Sequence, residues 1–118
     1  MKLVIIESPF AGNVDQHIEY ARKCLKDCLK RGEAPIASHL LFTQPGILDD
    51  NIPGERALGI EAGLAWYQVA KACIVYKDFG ISKGMIFGIE RARMHGVPVF
   101  YRSLGEKAEK NLSVKEEI

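Results

Sequence analysis

Four short apolar runs frame this chain: Leu3-Val4-Ile5-Ile6, Ala34-Pro35-Ile36-Ala37-Ser38, Cys73-Ile74-Val75-Tyr76 and Val97-Pro98-Val99-Phe100. Each is short and bounded by turn residues. The unbroken apolar character of the first and third suits strands buried on both faces, as in a parallel sheet. Pro35 has no N–H for a ladder and fits a strand start or an edge. Between the runs the period changes. Val14, Ile18, Ala21, Cys24, Leu25, Cys28 and Leu29 recur at three and four residues, which predicts an amphipathic helix with Asn13 as N-cap and Gly32 as its stop. A second helix, rich in Ala and Leu, is predicted from about Glu55 to Lys71, and a third from about Lys83 to His95. From His39 to Pro53 the periodicity lapses. Gln44-Pro45-Gly46 and Asp49-Asp50-Asn51 are turn chemistry, and a loop of about fifteen residues is long enough to read as functional.

The resulting order predicts an α/β fold: a single three-layer, flavodoxin-like or Rossmann-like domain with a four- to five-stranded parallel sheet. Right-handed crossovers place helices on both faces, with strand order 2-1-3-4. Residues 1–104 form this domain, and 105–118 form a charged tail with helical potential. In such a sheet ligands bind outside the carboxyl ends of the strands at the switch point, here between the first and third. That sets Glu7–Asn13 beside Lys77–Met85, with the loop from His39 as a lid.

Composition narrows the partners. Sixteen basic and fifteen acidic residues leave a net charge of +1, so no broad basic field invites a nucleic acid polymer. Arg22, Lys23, Lys26, Lys30 and Arg31 are interrupted by Glu19 and Asp27, the pattern of a solvated helix face. Three cysteines make no disulfide framework, and His17, His39 and His95 are scattered, so no metal site is expected; Cys24 and Cys28 read as small core residues. Met1–Ile6 is too short for a signal peptide and runs into Glu7, and no apolar stretch approaches the ~20 residues of a membrane span. A cytoplasmic protein without a membrane partner is expected. With no Walker-type loop, dinucleotide fingerprint, nucleophile elbow or Ser-His-Asp order, no cofactor is called for.

The candidate ligand contacts fall on the two facing segments. Ser8, Pro9, Phe10 and Gly12 supply a hydroxyl, a fixed φ, an aromatic face for a base and a flexible backbone; the plainer alternative folds Phe10 onto the core. Ser82, Lys83, Gly84 and Met85 open a helix whose free N–H groups and dipole favour an anion, with Ser82 either capping the helix or binding phosphate. Asp78 lies in the same segment. His39, just past the second strand, either contacts a base or sugar or ties the long loop to the sheet. Glu61 sits on an otherwise apolar stretch (Leu58, Ile60, Leu64, Ala65) and is the candidate catalytic carboxylate; the alternative is an exposed or ion-paired side chain. Gly59 and Gly63 make a small-residue face open to a neighbouring helix across a dimer, and Trp66 reads as core or interface.

On these residues the chain resembles the nucleoside 2-deoxyribosyltransferase-like group, especially its small bacterial and phage members. The resemblance rests on Ser8-Pro9-Phe10-Ala11-Gly12, Ser38-His39-Leu40-Leu41, Arg56 through Trp66, and Ser82-Lys83-Gly84-Met85 through Gly88-Ile89-Glu90-Arg91-Ala92. It implies a nucleoside or nucleotide ligand and cleavage or exchange of the N-glycosidic bond. The group uses a glutamate on the helix after strand three and an aspartate on the preceding helix. Those positions correspond to Gly88 and Gly63, so both acids are missing. Glu90 and Glu61 stand two residues away, but on a helix that shift turns a side chain by about 200°. Two readings follow: an N-glycosidase or deoxyribosyltransferase with a relocated carboxylate such as Glu61, or a nucleotide binder without turnover, a sensor or a phage-type sequestering protein. A homodimer or higher homo-oligomer is expected through the apolar second helix.

Overall fold

The computed structural model describes residues 1–105; the helix foreseen for the charged tail lies outside the described residues. Strand β1 (Lys2–Glu7) is followed by α1 (Val14–Lys30), β2 (Glu33–Ile36), a short α2 (Ser38–Leu41) and α3 (Pro53–Ala65). A 3-10 turn (Trp66–Gln68), β3 (Ala72–Tyr76), α4 (Lys83–Met94) and β4 (Val99–Arg102) follow among the described residues. The four strands are all parallel, in the order β2-β1-β3-β4. Pro35 lies on β2, an edge strand, opposite Val4.

Strand alternation divides the core in two. Val4, Ile6, Ile74 and Tyr76 point to one face, against Tyr20, Cys24 and Cys28 of α1. Ile5, Cys73 and Val75 point to the other, against Tyr67 and against Met85, Ile89 and Ala92 of α4. The three cysteines are buried and unpaired, as the helical spacing of Cys24 and Cys28 predicts. Asn13 caps α1 by accepting from the Gln16 backbone N–H at 3.3 Å, and Gly32 supplies the positive φ (+80°) that ends the turn after it.

The segment after β2 departs from the sequence reading. Ser38–Leu41 closes one helical turn before the loop begins, too short a stretch to register as periodicity. Its neighbour α3 buries only Gly63, while Leu58 and Ile60 are exposed. The small-residue face of α3 is filled from within the chain: Gly59 faces Leu48 and Phe42, and Gly63 faces Ser38. The predicted second helix ends at Ala65, where the 3-10 turn swings Tyr67 into the core and leaves Trp66 on the surface, 44% exposed.

Two polar clamps hold the ends of the sheet. Arg102 at the end of β4 makes two hydrogen bonds to the Glu33 carboxylate of β2, at 2.6 and 2.9 Å, and a third to the Tyr76 hydroxyl. Asp78, just after β3, accepts from the Tyr20 hydroxyl of α1 at 2.5 Å, from Ser103 Oγ at 2.6 Å and from the Leu104 and Gly105 backbone N–H groups. Among the described residues no helix is long and apolar enough to cross a membrane. Because Tyr20 is buried, Asp78→Ala leaves its hydroxyl hydrogen without an acceptor, although the backbone N–H of residue 78 still donates to its oxygen. We expect a loss of about 2 kcal/mol, on the order of 10 °C in Tm by thermal denaturation; an unchanged Tm would refute the clamp.

Candidate functional site

At the carboxyl edge, between the loop after β1, the α2–α3 pair and the start of α4, lies a cavity of about 380 Å³. That volume falls in the usual range for small-molecule sites. Its walls come from the predicted segments: Ser8 and Phe10 from the first loop, His39 from α2, and Ser82, Lys83 and Gly84 from the start of α4. Glu7, Ser38 and the mouth residues Asp50 and Arg56 join them.

Glu7 is the residue that sequence reasoning passed over. It ends β1, and strand alternation aims it after Ile5 toward α4. Its partly buried carboxylate accepts a hydrogen bond from the Tyr67 hydroxyl at 2.6 Å. Burial pushes its pKa up to about 7, against the hydrogen bond from Tyr67, which lowers it. The space it fills belongs to α4's Gly88: a Cβ at that position would overlap the Glu7 carboxyl group. A second glycine repeats the pattern, since a Cβ at Gly63 would overlap the side chain of Ser38. The signal available in the sequence was an acid closing an apolar strand, paired with a glycine on the covering helix.

The first loop is held in place by two histidines. Ser8 is buried, and its Oγ lies 3.1 Å from Nε2 of His39. Phe10 meets the His39 ring edge-on at 5.7 Å between centroids, while Nδ1–H of His17 donates to the Phe10 carbonyl at 2.9 Å. Burial, with a smaller contribution from the His17 charge, lowers the His39 pKa to about 4, so its ring is neutral at pH 7. His39 thus both lines the cavity and ties α2 to the first loop.

At the start of α4, Ser82 is the N-cap: its Oγ accepts from the Met85 backbone N–H at 3.3 Å. The hydroxyl hydrogen remains available to donate. Met85 touches the cavity but buries its side chain in the core, and Lys83 and Gly84 are exposed. Arg56 pairs with Asp50 at 2.8 Å across the mouth. Several predicted residues stand apart. Asp78 is committed to its clamp, Gly12 serves the turn at φ +91°, and neither it nor Pro9 lines the cavity. Glu61 is also outside it: its side chain is 68% exposed on α3 and pairs with Arg91 at 3.4 Å.

A model of the family described as a domain of unknown function (DUF7768) matches residues 2–102. The chain belongs to this family. No curated protein matches this DUF7768 chain. Among solved structures it is similar to the 2-deoxyribosyltransferase of the psychrotolerant bacterium Bacillus psychrosaccharolyticus, with a TM-score of 0.60 and 18% identity. That superposition covers 88% of the DUF7768 chain and 74% of the transferase. At this identity the likeness establishes a shared fold, the parallel α/β sheet ordered 2-1-3-4.

The Glu7 environment makes a stability prediction with a definite sign. A carboxyl group whose folded pKa is raised above its ordinary value of 4.5 costs the folded state nothing while protonated in both states. The penalty grows as pH rises from about 4.5 to about 7 and is constant above that. Glu7→Gln removes it and keeps an acceptor for Tyr67. The variant should therefore gain Tm over the wild type progressively through that window, with no gain at pH 4. Thermal melts at pH 4, 6 and 8 test this, and a gain equal at all three would disprove it.

Proposed function

We propose that the cavity binds a nucleoside or nucleotide and cleaves its N-glycosidic bond, with Glu7 as the carboxylate nucleophile. One observation carries this reading: the Glu7 carboxyl group occupies the space over Gly88, the position at which the resemblance puts the transferases' glutamate. The acid enters from strand β1 instead of helix α4. The shared fold supports the choice of edge, and the 2-deoxyribosyltransferase named above is a biocatalyst for the synthesis of nucleosides.

In this reading a carboxylate oxygen of Glu7 forms a bond to the anomeric carbon as the carbon–nitrogen bond breaks, and that electron pair leaves with the base, which takes a proton from water. A second water then opens the glycosyl ester, releasing the sugar and restoring Glu7; a second base in place of that water gives transfer. Phe10 offers the face for the base, and Ser8 with neutral His39 offers hydrogen bonds to the sugar. The free hydrogen of Ser82, the N–H groups that open α4 and Lys83 suit a phosphate where the ligand carries one. Only ionised Glu7 attacks, so activity rises with pH through about 7.

The test is release of free base from a panel of deoxynucleosides, ribonucleosides and their monophosphates. Glu7→Ala should lower kcat/KM by on the order of a thousandfold or more. Adding Gly88→Glu to that variant, which now has room for the side chain, should recover part of the loss. A wild-type protein that releases no base yet gains Tm with nucleotides would replace this reading by the non-catalytic binder, which the glycines at positions 63 and 88 favour.

A further inference from the structure

The tyrosine behind Glu7 has no access to a ligand. Tyr67 is 1% exposed, lies in the 3-10 turn beneath the cavity and is absent from its lining. Its hydroxyl sits between two groups: Oε2 of Glu7 at 2.6 Å and Sγ of Cys73, on β3, at 3.1 Å. A tyrosine has one hydrogen to donate. The shorter contact, to the carboxylate, has first claim on it, and the Cys73 sulfur is the longer, second partner of the same hydroxyl.

We propose that Tyr67 is a positioning residue for the Glu7 nucleophile: it holds Oε2 as a fixed acceptor and leaves Oε1 as the oxygen that attacks. The inference rests on the glycosidic reading of the cavity and adds to it which oxygen reacts and what orients it. When Glu7 is protonated its proton resides on Oε1, because Oε2 faces a donor. In the attack Oε1 gains the bond to the anomeric carbon, Oε2 becomes the ester carbonyl still held by Tyr67, and the base leaves with the glycosidic electron pair. Facing Glu7 from the packed elements are Tyr67 from the 3-10 turn, Cys73 from β3 and the Gly88 backbone from α4; the cavity side adds His39, Asp50, Arg56 and Lys83. The Tyr67 hydroxyl is the hydrogen bond that favours the charged carboxylate, opposing the effect of burial.

The experiment follows the Glu7 side-chain carboxyl carbon by NMR across pH 4 to 9, in the wild type and in Tyr67→Phe, together with the pH dependence of kcat/KM for base release. Loss of the donor should move the Glu7 midpoint up by about one pH unit. On the acidic limb kcat/KM should fall about tenfold further than on the alkaline plateau, where only the lost orientation of the ionised carboxylate is felt. A merely structural tyrosine would lower the plateau and leave the midpoint in place, and that result overturns the proposal. In the wild type, the ring carbon bearing the Tyr67 hydroxyl should titrate with the Glu7 midpoint; a flat response overturns it without recourse to any variant. If the midpoint moves but no substrate releases base, the contact stands and the glycosidic reading falls.

Discussion

Everything at the carboxyl edge depends on how β1 ends. A central strand of a parallel sheet is buried on both faces, and its alternation cannot be switched off at the last residue. The rhythm that sends Ile5 into the core beneath α4 sends Glu7 along the same line, into a place where a carboxylate is costly. The fold meets that cost with the Tyr67 hydroxyl and with a glycine where α4 passes overhead. Gly88 is therefore a steric requirement of Glu7: any side chain there would displace the carboxyl group.

This coupling revises the meaning of the two glycines. Taken alone, glycine at positions 63 and 88 reads as a loss of acids. In three dimensions each is the empty half of a contact whose filled half comes from elsewhere, Ser38 over Gly63 and Glu7 over Gly88. The two substitutions differ chemically. Over Gly88 the filling group is a carboxylate, supplied from a strand. At Gly63 the filling group is a neutral hydroxyl, so the cavity carries less negative charge than a two-acid site would. Asp50 is neutralised by Arg56, which leaves Glu7 as the acid whose protonation decides the charge facing a ligand.

The sheet was legible because its two central strands carry unbroken apolar runs and α1 is strongly amphipathic; burial on two faces or one stripe writes itself into a sequence. So was the edge: the turn chemistry after β1 and before α4 predicted where Ser8, Phe10, His39, Ser82 and Lys83 would converge. What escaped was pairwise and three-dimensional. Glu61 drew attention because an acid on an apolar helix looks buried, yet α3 turns that side outward and gives it Arg91. Asp78 drew it by position in a turn, where its carboxylate instead gathers Tyr20 and the chain leaving β4. Glu7 was overlooked because an acid at the end of a strand reads as the point where burial stops. The short α2 escaped for want of length, and with it Ser38.

The same geometry explains why the acid can sit on β1 at all. A helix such as α4 presents a side chain at one height and one angle per turn, whereas the end of a central strand presents one from below, at the floor of the cleft. A carboxylate placed there abuts α4 at Gly88, lines the cavity and accepts from the Tyr67 hydroxyl. Its raised pKa follows from burial there. Position and protonation are then one property: the place at the end of β1 that brings the carboxyl group against Gly88 also brings its ionisation toward neutral pH.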